Sequence, residues 1–229
     1  MRRGTRTSLR AVAVAVAVAV AVAVALALVG SGCAASSSKP AADVWRTAAG
    51  LSFVARADAD GLVVFTDDGE IDFLTGVNVG AAVPGRLPSE LKIDAATWRR
   101  WLPMIADLGV HAVRIYTVQP PHFYEELRAY NEANPDRPLY LVHGVWLPEE
   151  LLADRRDLFD PAVMEHARSD IDGAVAAVHV DGALPPRAGY ASGSFTADVS
   201  PWLVSWAFGI EMDPQLVAES DAANVGRTY

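Results

Sequence analysis

Residues 206–214 read WAFGIEMDP. The first half is apolar enough to lie in a core, and then one carboxylate, Glu211, closes it. Two residues later Asp213-Pro214 has the form of a helix start. An aspartate can accept from the free N–H groups of a first turn, and proline suits the first helical position. The segment therefore reads as a buried strand running into a helix. A glutamate at that junction has two explanations. It satisfies the helix N-terminus, where negative charge is favoured, or it is a general acid held at the mouth of a barrel.

The same strand-to-helix pattern recurs upstream. FLTGVNVG (73–80) is an apolar strand ending near Asn78, and residues 93–109 are helical, with Asp94 to cap the start and Gly109 the end. Pro103 lies inside that helix and is expected to kink it. HAVRIYTV (111–118) is a second strand and residues 122–133 a second helix. PLYLVHGVWL (138–147) is a third strand, and a longer helix opens at Asp160-Pro161 and runs toward Val178. Residues 182–200 read as loop, 200–212 as the fourth strand, and Asp213-Pro214 opens another helix. Ahead of this series, residues 62–66 and 70–75 are strand-like and flank Asp68-Gly69, a two-residue hairpin turn.

Strands alternating with helices imply a parallel sheet with helical crossovers, and apolar runs of this kind suit strands buried on both faces. The fold class is therefore α/β: about four βα units preceded by a short β-hairpin. A dinucleotide-binding fold is the main competitor. It requires G-x-G-x-x-G after a strand, and the glycines of GVNVGAAVPG, at 76, 80 and 85, do not fit. P-loop, H-E-x-x-H and G-x-S-x-G patterns are missing too. The sequence thus calls for no cofactor and no metal.

The first 32 residues have the layout of an export signal. Arg2, Arg3, Arg6 and Arg10 precede an unbroken apolar run at 11–29, and VGSGC ends at Cys33, the sole cysteine of the 229 residues. Residues 33–50, opening Ser/Ala-rich, read as a flexible tether, and 51–229 as the folded part. The alternative is an uncleaved anchor, since 19 apolar residues approach the ~20 that span a bilayer. Both place the remainder outside the cytoplasm. A lone cysteine forms no internal disulfide. The chain has 19 basic and 28 acidic residues; residues 1–32 carry four arginines and no acids, so the remainder has 15 against 28, a net charge of −13. No basic patch is visible, which argues against a nucleic-acid partner.

Each apolar strand ends in polar or aromatic groups: Asn78 on the first, Arg114 and Tyr116 on the second, His143 and Trp146 on the third, Glu211 and Asp213 on the fourth. In a (β/α)8 barrel, catalytic groups sit at these C-terminal strand ends. Each residue also has a structural reading. Asn78 can begin a turn, Arg114 can pair with a structural carboxylate, Tyr116 and Trp146 can be core aromatics, and His143 can be a hydrogen-bonded packing residue.

From about residue 61 to 229 the chain resembles the first half of a retaining (β/α)8 glycoside hydrolase, of the large clan that carries its acid/base on strand four and its nucleophile on strand seven. LGVHAVRIYTVQP (108–120) is similar to the second-strand segment of β-1,3-glucanosyltransferases and related glucanases. FLTGVNVG resembles the clan's first strand, YLVHGVW its third, and WAFGIEMDP its fourth, whose pattern ends in Asn-Glu. The resemblance implies that Glu211 is the acid/base, that Arg114 orients the nucleophile, and that His143 and Asn78 line the subsite next to the cleaved bond. It implies a β-linked, glucan-like carbohydrate as substrate. Two departures stand out. Ile210 occupies the place of the asparagine that contacts the sugar 2-hydroxyl. Four βα units are half of a barrel of ~250 residues, so the strand that supplies the second carboxylate lies outside this sequence. The expectation is an incomplete chain, with a non-catalytic carbohydrate-binding or cell-envelope lipoprotein as the alternative. Gly30, Ser31 and Gly32 before Cys33 resemble a bacterial lipobox, with Gly30 where leucine is commoner. That resemblance implies cleavage before Cys33, a diacylglyceryl thioether on its sulfur, and attachment to the cell membrane.

Overall fold

The computed structural model describes residues 45–46, 52–57, 59, 61–66, 69–209 and 211–227. All of them belong to one compact unit, residues 42–229. The signal-like segment, Cys33, most of the tether, Asp68 and Ile210 lie outside the described residues. Among the described residues, no helix is long and apolar enough to cross a membrane.

Two small antiparallel sheets come first. β1 (Trp45–Arg46) pairs with β2 (Ser52–Phe53). β3 (Ala55–Ala57), β4 (Leu62–Thr66) and β5 (Gly69–Ile71) form a meander. The chain then alternates: β6 (Gly76–Val79), α1 (Ala95–Ala106), β7 (Ala112–Ile115), α2 (Pro121–Ala133), β8 (Tyr140–Val145). Two helices follow, α3 (Glu149–Arg155) and α4 (Pro161–His179). A two-residue hairpin, β9 (Ala183–Leu184) with β10 (Gly193–Ser194), precedes β11 (Leu203–Phe208) and α5 (Pro214–Ala223).

β6, β7, β8 and β11 form one parallel sheet in the order β11-β8-β7-β6. This is the α/β architecture the apolar runs predict. The helix starts follow from their caps. Asp94 Oδ1 accepts from the Thr97 N–H at 2.8 Å, Asp160 from Ala162 and Asp213 from Gln215, each at 2.9 Å. Those contacts satisfy donors that a first helical turn leaves free. α1 runs through Pro103, which sits on its exposed side, and buries Trp98, Leu102, Ile105 and Ala106. Gly109 then takes a φ of 76°, as a residue leaving a helix in the left-handed region does.

The two faces of the sheet are covered differently. Val79, Val113, Ile115 and Leu141 lie against α1, α2 and α4, where Trp98, Phe123, Tyr124 and Leu127 fill the layer. On the other face, Ala112, Tyr140 and Val204 pack against Val64 and Ile71 of the meander. That contact covers the N-terminal half of the strands and leaves their C-terminal ends uncovered by it.

Strand ends fall short of the sequence expectation. The second strand stops at Ile115 rather than 118, the third at Val145 rather than 147, and the fourth at Phe208 rather than 212. The first spans 76–79 within the expected 73–80, and the hairpin's second strand spans 69–71 rather than 70–75. Ser200–Trp202 is a 3₁₀ turn rather than strand. Apolar character continues past each ladder because the residues beyond it still pack: Val118 joins the main core, and Leu147 a satellite cluster with Leu152, Val163 and Leu216. Helix α3 was not among the expected elements, and residues 182–200, read as loop, carry β9 and β10.

Candidate functional site

In parallel pairing, residues in register share a face. Asn78 is opposite Arg114, and Arg114 opposite Val142. Asn78 and Arg114 are therefore side by side on the face away from the helices, near the C-terminal ends of β6 and β7. Asn78 is exposed and Arg114 half-buried. Tyr116 lies one residue past β7, and the Arg114 guanidinium carbon stands 5.1 Å from its ring centre. Trp146, one residue past β8, meets Tyr116 edge-on with ring centres 5.7 Å apart and donates its indole N–H to Glu149 Oε1 at 3.0 Å. The Arg114 Nε is buried and has no hydrogen-bond partner. Among the described residues no carboxylate pairs with Arg114, so the structural ion pair open to it from sequence is not formed. A buried guanidinium donor without an acceptor is costly.

Gly144 sets the spacing beneath this group. A Cβ on it would lie 2.3 Å from the Tyr116 carbonyl oxygen and 2.6 Å from that of Ile115. Glycine is what lets the end of β7 cross so close to β8.

His143 is not brought to the same face. It is opposite Ile115 and Trp206, on the helix side, and is 0% exposed. Its Nδ1 lies 2.9 Å from the Gly144 carbonyl oxygen and its Nε2 2.8 Å from the Tyr124 hydroxyl of α2. A carbonyl only accepts, so Nδ1 carries the proton. In the neutral ring Nε2 then accepts from the tyrosine O–H. The Tyr124 oxygen in turn accepts from the Gln119 backbone N–H at 3.3 Å. Burial lowers the His143 pKa to about 4 and raises that of Tyr124, since both charged forms lose hydration. His143 occupies the packing role rather than the substrate-facing one.

Glu211 lies three residues beyond β11, in the loop before α5, and is exposed. Trp206 and Phe208, on the strand that precedes it, are 38% and 58% exposed and form no closed apolar surround. Nor is Glu211 the helix cap: that position belongs to Asp213, which also lies 3.9 Å from an Arg156 nitrogen. Asp213 thus holds the start of α5. The helix is tied down further by Arg156 to Glu219 at 2.6 Å, and by Asp157, which accepts from Ser220 and Asn224 at 3.2 and 2.8 Å. These contacts and the Phe159 N–H hold the Asp157 carboxyl below the usual range, the Phe159 bond first.

A second polar group escaped the sequence reading. His166 and Asp170 of α4 meet Arg187 and Tyr190 of the β9–β10 loop beside a cavity of about 120 Å3, which Trp146 also lines. Its one sequence signal is the i, i+4 spacing of His166 and Asp170. Arg187 and Tyr190 join it through a loop whose path the pattern does not specify. No group of three or more metal-ligating side chains occurs among the described residues. Comparison of the chain with known family models, with curated proteins and with solved structures yields no match.

Proposed function

We propose that the protein acts on β-linked, glucan-like carbohydrate outside the cytoplasm, as part of a (β/α)8 glycoside hydrolase in which Glu211 is the general acid/base. The observation that carries the reading is the unsatisfied, half-buried Arg114 at the C-terminal end of a parallel sheet, beside exposed Asn78 and the Tyr116 and Trp146 rings. Such a cation suits a carboxylate that it would orient, and the aromatic edges suit a sugar's C–H face. A retaining reaction needs two carboxyl groups ~5–5.5 Å apart. Asp213 is committed to its helix, so the reading assigns the nucleophile to a later strand of a complete barrel. Glu211 would protonate the leaving oxygen, then draw a proton from the water that releases the glycosyl intermediate.

The exposure of Glu211, Trp206 and Phe208 favours a second reading, a carbohydrate-binding protein without turnover. One experiment separates the two. In a chain completed by its barrel half, Glu211→Gln is expected to fold normally and to lose roughly 10²–10⁴-fold in rate on an unactivated glucan. Aryl glycosides, whose leaving groups need little protonation, should lose least in the bond-breaking step. Full activity of the variant would remove Glu211 from the mechanism, and saturable glucan binding with no hydrolysis by either protein would establish the second reading.

We further propose that Cys33 carries lipid, on the basis of the small residues before it and the Ser/Ala-rich segment after it. Mass spectrometry of membrane-extracted protein should then find Cys33 as the acylated first residue. An intact segment 11–29 in the mature protein would overturn it.

A further inference from the structure

The cavity beside α4 lies at the C-terminal ends of β7 and β8, with Thr117, Gly144 and Trp146 on one side and Asp170, Arg187 and Tyr190 on the other. Its polar wall is preassembled. Asp170 binds Arg187 through Oδ1 and approaches His166 Nε2 at 3.3 Å through Oδ2. His166 also lies 3.1 Å from the Tyr190 hydroxyl, and the Arg187 guanidinium carbon is 3.2 Å from the Tyr190 ring centre. Every polar member is held by another, although Asp170 is only 11% exposed in its side chain and Arg187 is 40% exposed.

We propose that this cavity is a subsite for one uncharged sugar ring of a glycan, bound against Trp146 and the Asp170–Arg187 pair. Three features select that ligand class. First, the fixed charges cancel. An anion would face Asp170 and a cation Arg187, while a neutral hydroxyl can donate to the one and accept from the other without breaking the pair. Second, the remaining lining mixes apolar residues, Trp146 and Leu184 among them, with the hydroxyl-bearing Thr117 and Ser169. A pyranose has the same make-up, with apolar C–H faces and a polar rim. Third, about 120 Å3 is small beside the ~300–1,000 Å3 of pockets that take drug-sized ligands, so it suits one ring and not a chain. The inference rests on the proposed action on carbohydrate and extends it. Trp146 touches both this cavity and Tyr116, so a ring held here would be the neighbour of one lying over Arg114.

The test uses the full chain and β-linked gluco-oligosaccharides of two to six units, with binding read by calorimetry and by tryptophan fluorescence. Ser169→Trp places a large ring at an exposed position of the lining and leaves both charged residues in the sequence. It is expected to weaken binding at least tenfold, and Arg187→Gln about tenfold, the loss that ~1.4 kcal/mol represents. An oligosaccharide ending in glucuronate should bind more weakly than its neutral counterpart. If Arg187→Gln fails to fold, Ser169→Trp still decides, since it changes one exposed helix position. Binding unchanged in Ser169→Trp, or no saturable binding of any neutral oligosaccharide, would overturn the subsite. The hydrolytic reading fails separately. Hydrolysis that needs Glu211 but is indifferent to Ser169→Trp keeps the enzyme and loses the subsite. Binding that Ser169→Trp abolishes, with no hydrolysis by the completed chain, keeps the subsite and loses the enzyme.

Discussion

His143 and Arg114 lie on neighbouring strands, each a polar residue inside an apolar run, and their surroundings differ in one respect. Both ring nitrogens of His143 are engaged, one by the Gly144 carbonyl and one by the Tyr124 hydroxyl, within the layer of α1 and α2. The Arg114 Nε has no partner, and the guanidinium stands at the uncovered end of the opposite face. A polar side chain in a strand is therefore not by itself a sign of function. What separates the two is whether the protein has already used the hydrogen-bonding capacity of the group. Both ring nitrogens of the histidine are used within the fold, whereas the Nε of the arginine is not.

The largest effect expected concerns the backbone crossing that supports both faces. We predict that Gly144→Ala costs ~3 kcal/mol, the upper end for an oversized group in a packed site. The added methyl would meet two carbonyl oxygens at 2.3 and 2.6 Å, and backbone cannot swing aside as a side chain can. Gly173→Ala is the control. Its methyl would meet only the tip of Leu184 at 3.4 Å, inside a helix where alanine is preferred. Urea unfolding midpoints compare the two. A Gly144→Ala protein as stable as its parent would mean that β7 and β8 can part, and that the two faces are not held in fixed relation.

The next effect tests the closed face through pH. His143 has a pKa near 4 when folded and near 6.5 when unfolded. Between those values the unfolded chain binds a proton that the folded chain does not, so protonation favours unfolding. The contribution is full above about pH 6.5, falls as pH drops toward 4, and changes no further below that. With about 1.4 kcal/mol per pKa unit, the loss across the window is of order 3 kcal/mol, an upper figure for so buried a ring. The double variant His143→Leu with Tyr124→Phe removes both the titrating ring and the hydroxyl it leaves behind. Its stability is expected to fall less steeply than the parent's between pH 6.5 and 4. Parallel curves would show that His143 is not buried neutral, and the contrast with Arg114 would disappear.

These tests bear on what the sequence could reveal. The four parallel strands were legible because long apolar runs end at strong helix starts, and Asp94, Asp160 and Asp213 all cap as their spacing suggests. Strand ends were not legible, since Tyr116, Val118 and Leu147 stay apolar while the ladder has stopped. The face of a given residue was not legible either. The strands are continuous apolar runs with little alternation, so which parity meets the helices is settled by register with the neighbours. Position near a strand end therefore groups His143 with Arg114, and register separates them. β11 adds a register irregularity between Leu203 and Ser205, which alternation alone cannot foresee. The cluster of His166, Asp170, Arg187 and Tyr190 was illegible for another reason: half of it comes from a loop.

The smallest expected change in stability is the most informative about the open face. If Arg114 is left over from the fold, we predict that Arg114→Leu shifts stability by no more than ~1 kcal/mol in either direction. The variant loses a contact with Tyr116 worth about 0.5–1 kcal/mol at a half-exposed site. It also removes a buried donor that nothing accepts, which works the other way. Under the proposed function, binding of β-linked gluco-oligosaccharides should nevertheless weaken, because Arg114 stands beside the Tyr116 and Trp146 rings that would meet the sugar. The contrary case is quantitative. Removing one partner of a buried ion pair costs ~3–5 kcal/mol. A loss of that size in Arg114→Leu, with oligosaccharide binding unchanged, would show that Arg114 is held by a structural carboxylate after all. The two faces of the sheet would then be alike, and the proposed site would lose the residue on which it rests.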